Sequence, residues 1–326
     1  MHNVDKNIGK PIEAEVRVGQ EHYIAETDET GLGAVDAVAD DSAPASMWAE
    51  AWRYVRKRPL FWVSSVMIVL ALLMAALPGL FTSVDPRLCE LSNSLADPTS
   101  GHPFGFDRQG CDIYSRTIYG ARASVSVGVL TTLLVVLIGG TIGALAGYFG
   151  GFIDAVLSRL TDVFFAVPLV LAAIVVMQMF KDSRTIVTVV VVLAAFGWTN
   201  IARITRGAVM SVKNEEFVTA ARAVGASRTR MLLNHILPNA AAPIIVYATV
   251  ALGVFIVAEA TLSFLGIGLP PSVVSWGGDI SNAQVSLRNQ PMVLFYPAMA
   301  LALTVLSFIM MGDVVRDALD PKSRKR

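Results

Sequence analysis

The sequence predicts an all-α integral membrane protein with six transmembrane helices. Of its 326 residues, 54% are apolar and only 16% are charged, and the mean hydropathy is +0.58. A helix needs about 20 apolar residues to cross a hydrocarbon layer of about 30 Å. Buried helices of a soluble protein would carry a polar stripe at every third or fourth residue, which is almost absent here. The uncharged intervals are 59–84, 123–153, 163–180, 185–202, 236–258 and 289–312.

In chain order, these intervals differ in length and in what separates them. The first follows a basic run at 53–58, and the polar segment 85–122 separates it from the long second interval. The third and fourth are short, and the charged turn 181–184 joins them, which predicts a tight helical hairpin. A basic loop leads into the fifth interval, and a basic tail follows the sixth.

Basic residues beside the intervals predict the orientation, because Lys and Arg accumulate in cytoplasmic loops. They cluster at 53–58, at 203–230 and at 316–326. Even numbers of crossings separate the three clusters, so all of them lie on one side. This places both termini in the cytoplasm of a prokaryote and makes the chain a multi-pass protein of the inner or plasma membrane.

The first 50 residues have a different composition from the rest. They hold 11 acidic and three basic residues, against 15 acidic and 23 basic residues in the remainder, so the total net charge is zero. Without a long apolar run, residues 1–50 are predicted to be a disordered acidic cytoplasmic tail. A tail that binds a partner protein is the alternative.

The residues favour no catalytic and no metal site. There is no G-x-x-x-x-G-K-[ST] loop for ATP phosphates, and the four histidines are scattered along the chain, so no metal cluster is visible. The composition and the zero net charge also disfavour a nucleic-acid partner.

Three smaller features carry structural predictions. Cys89 and Cys111 both lie in the first external loop, where they either form a disulfide or remain two unpaired small residues. The carboxyl of Glu259, toward the outer end of the fifth interval, either lines a translocation path or makes a structural hydrogen bond to a neighbouring helix. Glycines at every fourth position predict close helix packing: Gly139, Gly143, Gly147 and Gly151.

The cytoplasmic segment between the fourth and fifth intervals carries a distinctive pattern. A short helix is predicted to begin at Glu215 or Glu216 and to run to Ala221, with small residues on one side. Gly225 permits a sharp reversal after it, and Pro238 starts the next helix. Taken alone, this segment is also compatible with an interfacial amphipathic helix.

The same spacing resembles the EAA loop of ABC-importer permeases. The triplet is Thr219-Ala220-Ala221, Gly225 follows four residues later, and His235-Ile236-Leu237-Pro238 ends the pattern. Thr219 stands where the pattern has Glu, and His235 stands where it has Ile. A His at this position resembles the peptide-transporter branch.

Further stretches extend the resemblance from about residue 48 to 322. They include 102–122, 147–162, 259–277 and 312–321, and together they are similar to the second, C-type permease of the dipeptide/oligopeptide/nickel importers. That pattern usually has Arg where Cys111 stands. The resemblance implies the type I ABC importer permease fold.

The resemblance also implies the function and the partners. The chain would be a permease subunit that translocates dipeptides or oligopeptides, with nickel or another small solute as the alternative cargo. Its partners would be a homologous second permease, two cytoplasmic ABC ATPases and an extracytoplasmic substrate-binding protein. ATP and Mg²⁺ would bind to the ATPases, so the chain itself would be no enzyme and hold no cofactor. An ion-coupled secondary transporter is less favoured, because no inverted repeat is visible.

This resemblance divides the chain into four parts. They are the tail 1–50, a first transmembrane helix with its external loop at 51–122, a permease core with five transmembrane helices at 123–313, and a basic cytoplasmic tail at 314–326. The core contains the ATPase-coupling loop 208–238. The coupling residues implied are Glu215, Glu216, Phe217, Thr219, Ala220, Ala221, Gly225, Ser227, His235 and Pro238.

Overall fold

The computed structural model describes residues 47–319, and the regular structure in this range is helical. The helices are α1 Met47–Val55, α2 Pro59–Ala76, α3 Ile113–Phe149, α4 Gly151–Phe165, α5 Leu169–Met179, α6 Ile186–Gly197, α7 Thr199–Val212, α8 Glu216–Ala223, α9 Arg228–Arg230, α10 Leu237–Phe264, α11 Trp276–Ala283 and α12 Met292–Leu319. Most of the predicted tail 1–50 and the end of the predicted tail 314–326 lie outside the described residues. Helix α1 begins within the former, and α12 extends into the latter.

Four of the described helices are long and apolar enough to cross a membrane without a break. They are α2, α3, α12 and the continuous helix Arg228–Phe264, which contains α9 and α10. Two further pairs reach this length only together: α4 and α5 meet at an angle of 77°, and α6 and α7 at 48°. Residues 47–319 therefore contain four candidate spans, or up to six if each bent pair is one span.

The two bends interrupt the predicted third and fourth intervals. Pro168 directly precedes α5, and its ring prevents α4 from continuing because proline donates no helical hydrogen bond. Between α6 and α7 the helix axis changes direction at Trp198. The predicted hairpin is formed by α5 and α6, where Ala173 and Met177 pack in one core cluster with Val189 and Leu193.

Helix α3 is the centre of the packing. It contacts α2, α6, α7 and α10, and its buried residues Val127 and Val135 belong to the same core cluster as Ile201 of α7 and Phe255 of α10. At one end of the molecule, Ala51 and Val55 of α1 pack against the last turns of α12.

Three of the four predicted packing glycines bring α3 against α7. A Cβ atom at any of them would collide with a carbonyl oxygen of α7 or of the residue before it. These distances would be 2.4 Å from Gly139 to Trp198, 2.3 Å from Gly143 to Ala202 and 2.8 Å from Gly147 to Arg206. Both partners in the contact advance by four residues, so the two backbones lie side by side over about two helical turns.

Gly151 does not belong to this face, which corrects the sequence prediction. Gly150 and Gly151 have φ angles of +67° and +53°, and a Cβ at Gly151 would meet no described atom within 4 Å. The pair forms the turn from α3 into α4, a backbone conformation that glycine adopts at least cost. The regular spacing of four is therefore coincidental at its last member.

The segment between α2 and α3, residues 77–112, is the disulfide loop. Cys89 and Cys111 are joined by a disulfide, with their Cα atoms 4.1 Å apart. The backbone amide of Glu90 donates to the carbonyl of Gly110 beside it. Of the two alternatives for these cysteines, the structure has the paired one.

Replacing Gly143 with valine tests the α3–α7 contact. We expect a loss of about 1–3 kcal/mol of stability, because the branched side chain must push the two backbones apart. Thermal unfolding of the purified protein in detergent measures this. Gly140→Val is the matched control, since a Cβ at Gly140 meets no described atom within 4 Å; equal melting temperatures for the two variants would contradict the packing.

Thiol labelling tests the disulfide, because the chain has two cysteines in total. A maleimide added to the denatured protein without reductant is expected to label neither cysteine, and after reduction it is expected to label both. The intact mass of the chain reports the number of labels. Full labelling before reduction would show that the cysteines are unpaired.

Candidate functional site

The predicted short helix after α7 is present as α8, and local chemistry determines both of its ends. The carbonyl of Glu215 accepts from the amides of Val218 and Thr219 at its start. At its end, the amide of Gly225 donates to Arg222 and that of Ala226 donates to Ala221. This pair of hydrogen bonds is a Schellman motif. The motif requires the left-handed conformation that Gly225 has, with φ +89°.

A single buried side chain holds α8 against the body of the protein. Val218 is 1% exposed and belongs to a small core cluster with Ala144, Val209, Met231 and Ile236. The other predicted coupling residues of this helix and its turn are exposed or half-buried: Glu215, Glu216, Phe217, Thr219, Ala220, Ala221, Gly225 and Ser227. Exposed apolar groups accompany them, with Phe217 43% and Val224 90% exposed. The α8 loop, residues 213–227, is thus anchored by one buried side chain and exposes two large apolar side chains, Phe217 and Val224, among charged ones.

The end of the predicted motif differs from expectation. Ser227 caps α9, its hydroxyl accepting from the amide of Arg230 at 3.4 Å. Pro238 lies in the first turn of α10, as predicted, but no loop precedes α10, because it continues from α9 in the helix Arg228–Phe264. A π-helical stretch at Met231–Ile236, which contains His235, directly precedes it. Wider π-helical bonding lets the helix pass through a residue that lacks an amide hydrogen.

Charged side chains of α7 and of the first residue of the α8 loop bond to α3 and α4. Lys213 Nζ donates to the carbonyl of Gly147 at 2.7 Å, at the end of α3. Arg206 donates from Nε and Nη2 to the two oxygens of Asp154 at 2.5 and 2.7 Å. One turn earlier, Arg203 binds Asp162 at 2.8 Å. Two of these bonds join α7 to α4, and the bond of Lys213 joins the start of the α8 loop to α3.

These contacts depend on the glycine-lined approach of α3 and α7. Because the backbones lie so close at Gly147, the side chain of Lys213 reaches the last carbonyls of α3, which have no partner within the helix. The fork of Arg206 fits a carboxylate in a bidentate manner. The α8 loop is consequently bonded to α3 through Lys213, and α7, which leads into it, is bonded to α4 through Arg206 and Arg203.

Glu259 lies at a different junction, between α3, α10 and α11. Its side chain is fully buried, and its Oε1 accepts from Ser263 at 2.7 Å. The hydroxyls of Ser124 and Ser275 lie beside the same carboxyl. In this conformation Glu259 is enclosed by protein, its bonded partner Ser263 lies in the same helix, and its Oε2 has no hydrogen-bond partner among the described residues, so both alternatives for its role stay predictions.

An ion pair that the sequence pattern did not reveal joins α3 to α11. Arg116 donates to Oδ1 of Asp279 from Nε at 3.1 Å and also from Nη2. Asp107 of the disulfide loop lies 3.7 Å from the same Nε. Arg116 and Asp279 are 163 residues apart in sequence, so no local spacing links them. The one signal in the sequence is that each is a charged residue beside an apolar interval. Among residues 47–319, no group of three or more His, Cys, Asp or Glu side chains could hold a metal ion.

Comparison with known families identifies the class of protein. Residues 139–325 match the family model of the binding-protein-dependent transport system inner membrane component. The match covers more than half of the chain and includes the α8 loop with both of its flanking helices. The chain belongs to this family. Residues 46–98 match a second model, the N-terminal transmembrane domain of oligopeptide transport permease C.

Individual proteins similar to this chain are transport system permease proteins by name, which agrees with the family. The chain is 36% identical to the oligopeptide transport system permease protein OppC of Bacillus subtilis over 325 residues, 100% of both chains. It is 36% identical to the dipeptide transport system permease protein DppC of Alkalihalophilus pseudofirmus over 285 residues, covering 87% of this chain and 93% of the relative. With the glutathione transport system permease protein GsiD of Escherichia coli O6:K15:H31 the identity is 35% over 295 residues, 90% and 96% of the two chains.

Solved structures support the fold of this inner membrane component. A chain of the inward-facing MetNI methionine ABC transporter superposes with a TM-score of 0.53 at 18% identity. The superposition covers 63% of this chain and 96% of that one. At this identity the likeness establishes the permease fold alone.

The ion pair between α4 and α7 can be tested with a double-mutant cycle. We expect Arg206→Ala and Asp154→Ala each to lower stability by about 1–2 kcal/mol, since a partly exposed bidentate pair is partly screened by water. The double variant is expected to lose less than the sum of the two. Thermal unfolding in detergent measures each term.

Arg159→Ala is the control for this cycle, because Arg159 is 87% exposed and lies 3.6 Å from Asp162. It is expected to melt close to the unmodified protein. Strictly additive losses for Arg206 and Asp154 would show that the two side chains do not stabilise each other.

Proposed function

We propose that the chain is a permease subunit of an ATP-driven importer that translocates peptides across the cytoplasmic membrane. The observation that carries this proposal is the α8 loop: a short exposed helix, held by Val218 and tied to the body by Lys213 and Arg206. The printed names of the full-length relatives, oligopeptide and dipeptide permeases, support peptides as the cargo.

In this proposal each bent helix pair counts as one span, which gives six. Six crossings leave both termini on the same side, and the basic clusters at 53–58, 203–230 and 316–326 assign that side to the cytoplasm. The α8 loop then lies in the cytoplasm as well, and the disulfide loop lies outside, where a disulfide persists.

Coupling follows from the rigidity of the α8 loop. One of two partner ATPases receives the exposed face of α8, with Phe217 as an apolar contact. When the ATPases close on ATP and Mg²⁺, they displace α8, and the bonds of Lys213 and Arg206 transmit the displacement to α3 and α4. The spans then exchange an inward-facing for an outward-facing arrangement, because the ATPase contacts α8 differently in the two states.

The complete importer contains two further partners. A homologous second permease completes the translocation path, and an extracytoplasmic binding protein delivers the peptide. Nickel or another small solute is the alternative cargo within the same family. An ion-coupled secondary transporter is disfavoured, because it would not need an exposed coupling helix on rigid supports.

Replacing Gly225 with aspartate tests the coupling role. A residue other than glycine is strained at φ +89° and deforms the Schellman turn. We expect peptide uptake to fall to background while the chain stays inserted in the membrane. The measurement is uptake of a radiolabelled tripeptide by cells that carry the whole importer, with membrane content followed by immunoblot.

Gly207→Asp is the matched control, since Gly207 is exposed on α7 and a Cβ there meets no described atom within 4 Å. This variant is expected to retain uptake. Normal uptake by Gly225→Asp, or uptake that persists in cells without the partner ATPases, would overturn the proposal.

A further inference from the structure

A cavity of about 500 Å³ lies beside the α8 loop, between the end of α3 and the start of α9. Tyr148 and Phe149 line it from α3, and Arg228 and Met231 line it from the helix that follows the α8 loop. Tyr148 and Met231 also pack in the core cluster that contains Val218. The cavity therefore borders the side of α8 that packs against the body of the protein.

The charged residues of this cavity are all basic. Lys213, Arg222 and Arg228 line it, and none of the described residues that line it is acidic. The two acidic residues of the α8 loop, Glu215 and Glu216, are not in its lining. Three positive charges therefore share one cavity without a carboxylate to balance them.

The two arginines are the groups that can contact a ligand directly. Both Arg222 and Arg228 are exposed, and within the described part of the chain neither guanidinium forms a salt bridge. Lys213 is half-buried, and its Nζ donates to the carbonyl of Gly147 at 2.7 Å. Lys213 therefore adds a fixed positive charge, while the arginines supply exposed donors.

The position of Arg222 on α8 separates the cavity from the surface assigned to the ATPase. Arg222 lies one helical turn after the buried Val218, so the two residues are on the same side of the helix. Phe217, the apolar residue assigned to the ATPase contact, lies about 140° around the helix from Arg222. The basic cavity is thus not the face of α8 on which the coupling contact was placed.

Aromatic residues place the cavity at the depth of the lipid headgroups. Tyr148 and Phe149 are the last residues of α3, one of the unbroken candidate spans. Phe149 is 46% exposed, and Phe152, just after the glycine turn, is 83% exposed. Aromatic side chains concentrate where a spanning helix leaves the hydrocarbon layer. The three cations consequently lie close to the level of the lipid phosphates.

We propose that this cavity binds the phosphate of an anionic phospholipid from the cytoplasmic leaflet. The phosphate oxygens accept from the guanidinium groups of Arg222 and Arg228, which suit a phosphate in a bidentate manner. Lys213 adds its charge, and the acyl chains lie along the exposed side of α3 beyond Phe149. Basic pockets between spanning helices on the cytoplasmic side are typical sites for anionic headgroups. The inference goes beyond the proposed function and takes from it only the side of the membrane.

Lipid binding to the full-length chain tests the site. The purified chain in detergent is titrated with phosphatidylglycerol or with phosphatidylcholine of the same acyl chains, and native mass spectrometry counts the bound lipids. Phosphatidylcholine has the same phosphate but also a quaternary ammonium, which the three cations repel. We expect the first phosphatidylglycerol to bind at least about tenfold more tightly than the first phosphatidylcholine, since each nearby basic residue contributes about fivefold.

Removing the two exposed arginines of the cavity is expected to abolish most of this preference. In the double variant Arg222→Gln with Arg228→Gln, the affinity for the first phosphatidylglycerol should fall at least about tenfold. Arg159→Gln with Arg230→Gln is the matched control, because it removes the same charge from two exposed arginines that do not line the cavity. This control is expected to bind phosphatidylglycerol as the unmodified chain does.

Four results would overturn the proposal. They are equal affinity of the unmodified chain for the two lipids, equal loss of affinity in the cavity variant and the control, displacement of the lipid by an equal concentration of glycerol phosphate, and loss of the preference in the complete importer. The third would assign the cavity to a soluble phosphate, and the fourth would assign its cations to the ATPase contact. The comparison of the two lipids on the unmodified chain decides the question even if a variant does not fold.

Discussion

The close contact between α3 and α7 is the constraint on which the rest of the structure depends. Lipid tails are as apolar as leucine, so burial of apolar side chains gives little drive for two helices to associate within a membrane. Gly139, Gly143 and Gly147 have no side chain that would separate the backbones, so dispersion attraction between the two helices stabilises their contact. The position of α7, and of everything after it up to α8, follows from this approach.

The α3–α7 contact also brings together the polar groups that connect the α8 loop and α7 to the core. With the α3 and α7 backbones adjacent, Lys213 reaches a carbonyl at the end of α3, and Arg206 reaches Asp154 at the start of α4. A wider separation would leave both cations in water, where a pair of charges adds little. The small residues of the α3–α7 contact and the cations near its end therefore act together to hold these helices in place.

Sequence reasoning worked where the determinants are local. The apolar intervals indicate helices, Gly225 indicates the end of α8, and glycine spacing indicates a packing face. It was incomplete where apolarity alone was used: an apolar interval does not reveal the 77° bend before α5, which Pro168 marks in the sequence, or the π-helical stretch before Pro238. Gly151 shows the limit of a spacing argument. It continues the four-residue spacing of the other three glycines, yet it lies in a turn and not on the packing face.

The two arginine–aspartate pairs at opposite ends of the molecule show that the same residue types can pair with different geometry. Arg206 meets Asp154 with one nitrogen on each oxygen, and Ser158 donates a further bond, so the carboxylate is satisfied within the protein. Arg116 meets Asp279 with both nitrogens on one oxygen and leaves the other without a described partner. The residue types are the same, yet the Asp154 carboxylate is bonded through both oxygens and the Asp279 carboxylate through one, so the way the arginine approaches decides how completely each carboxylate is paired.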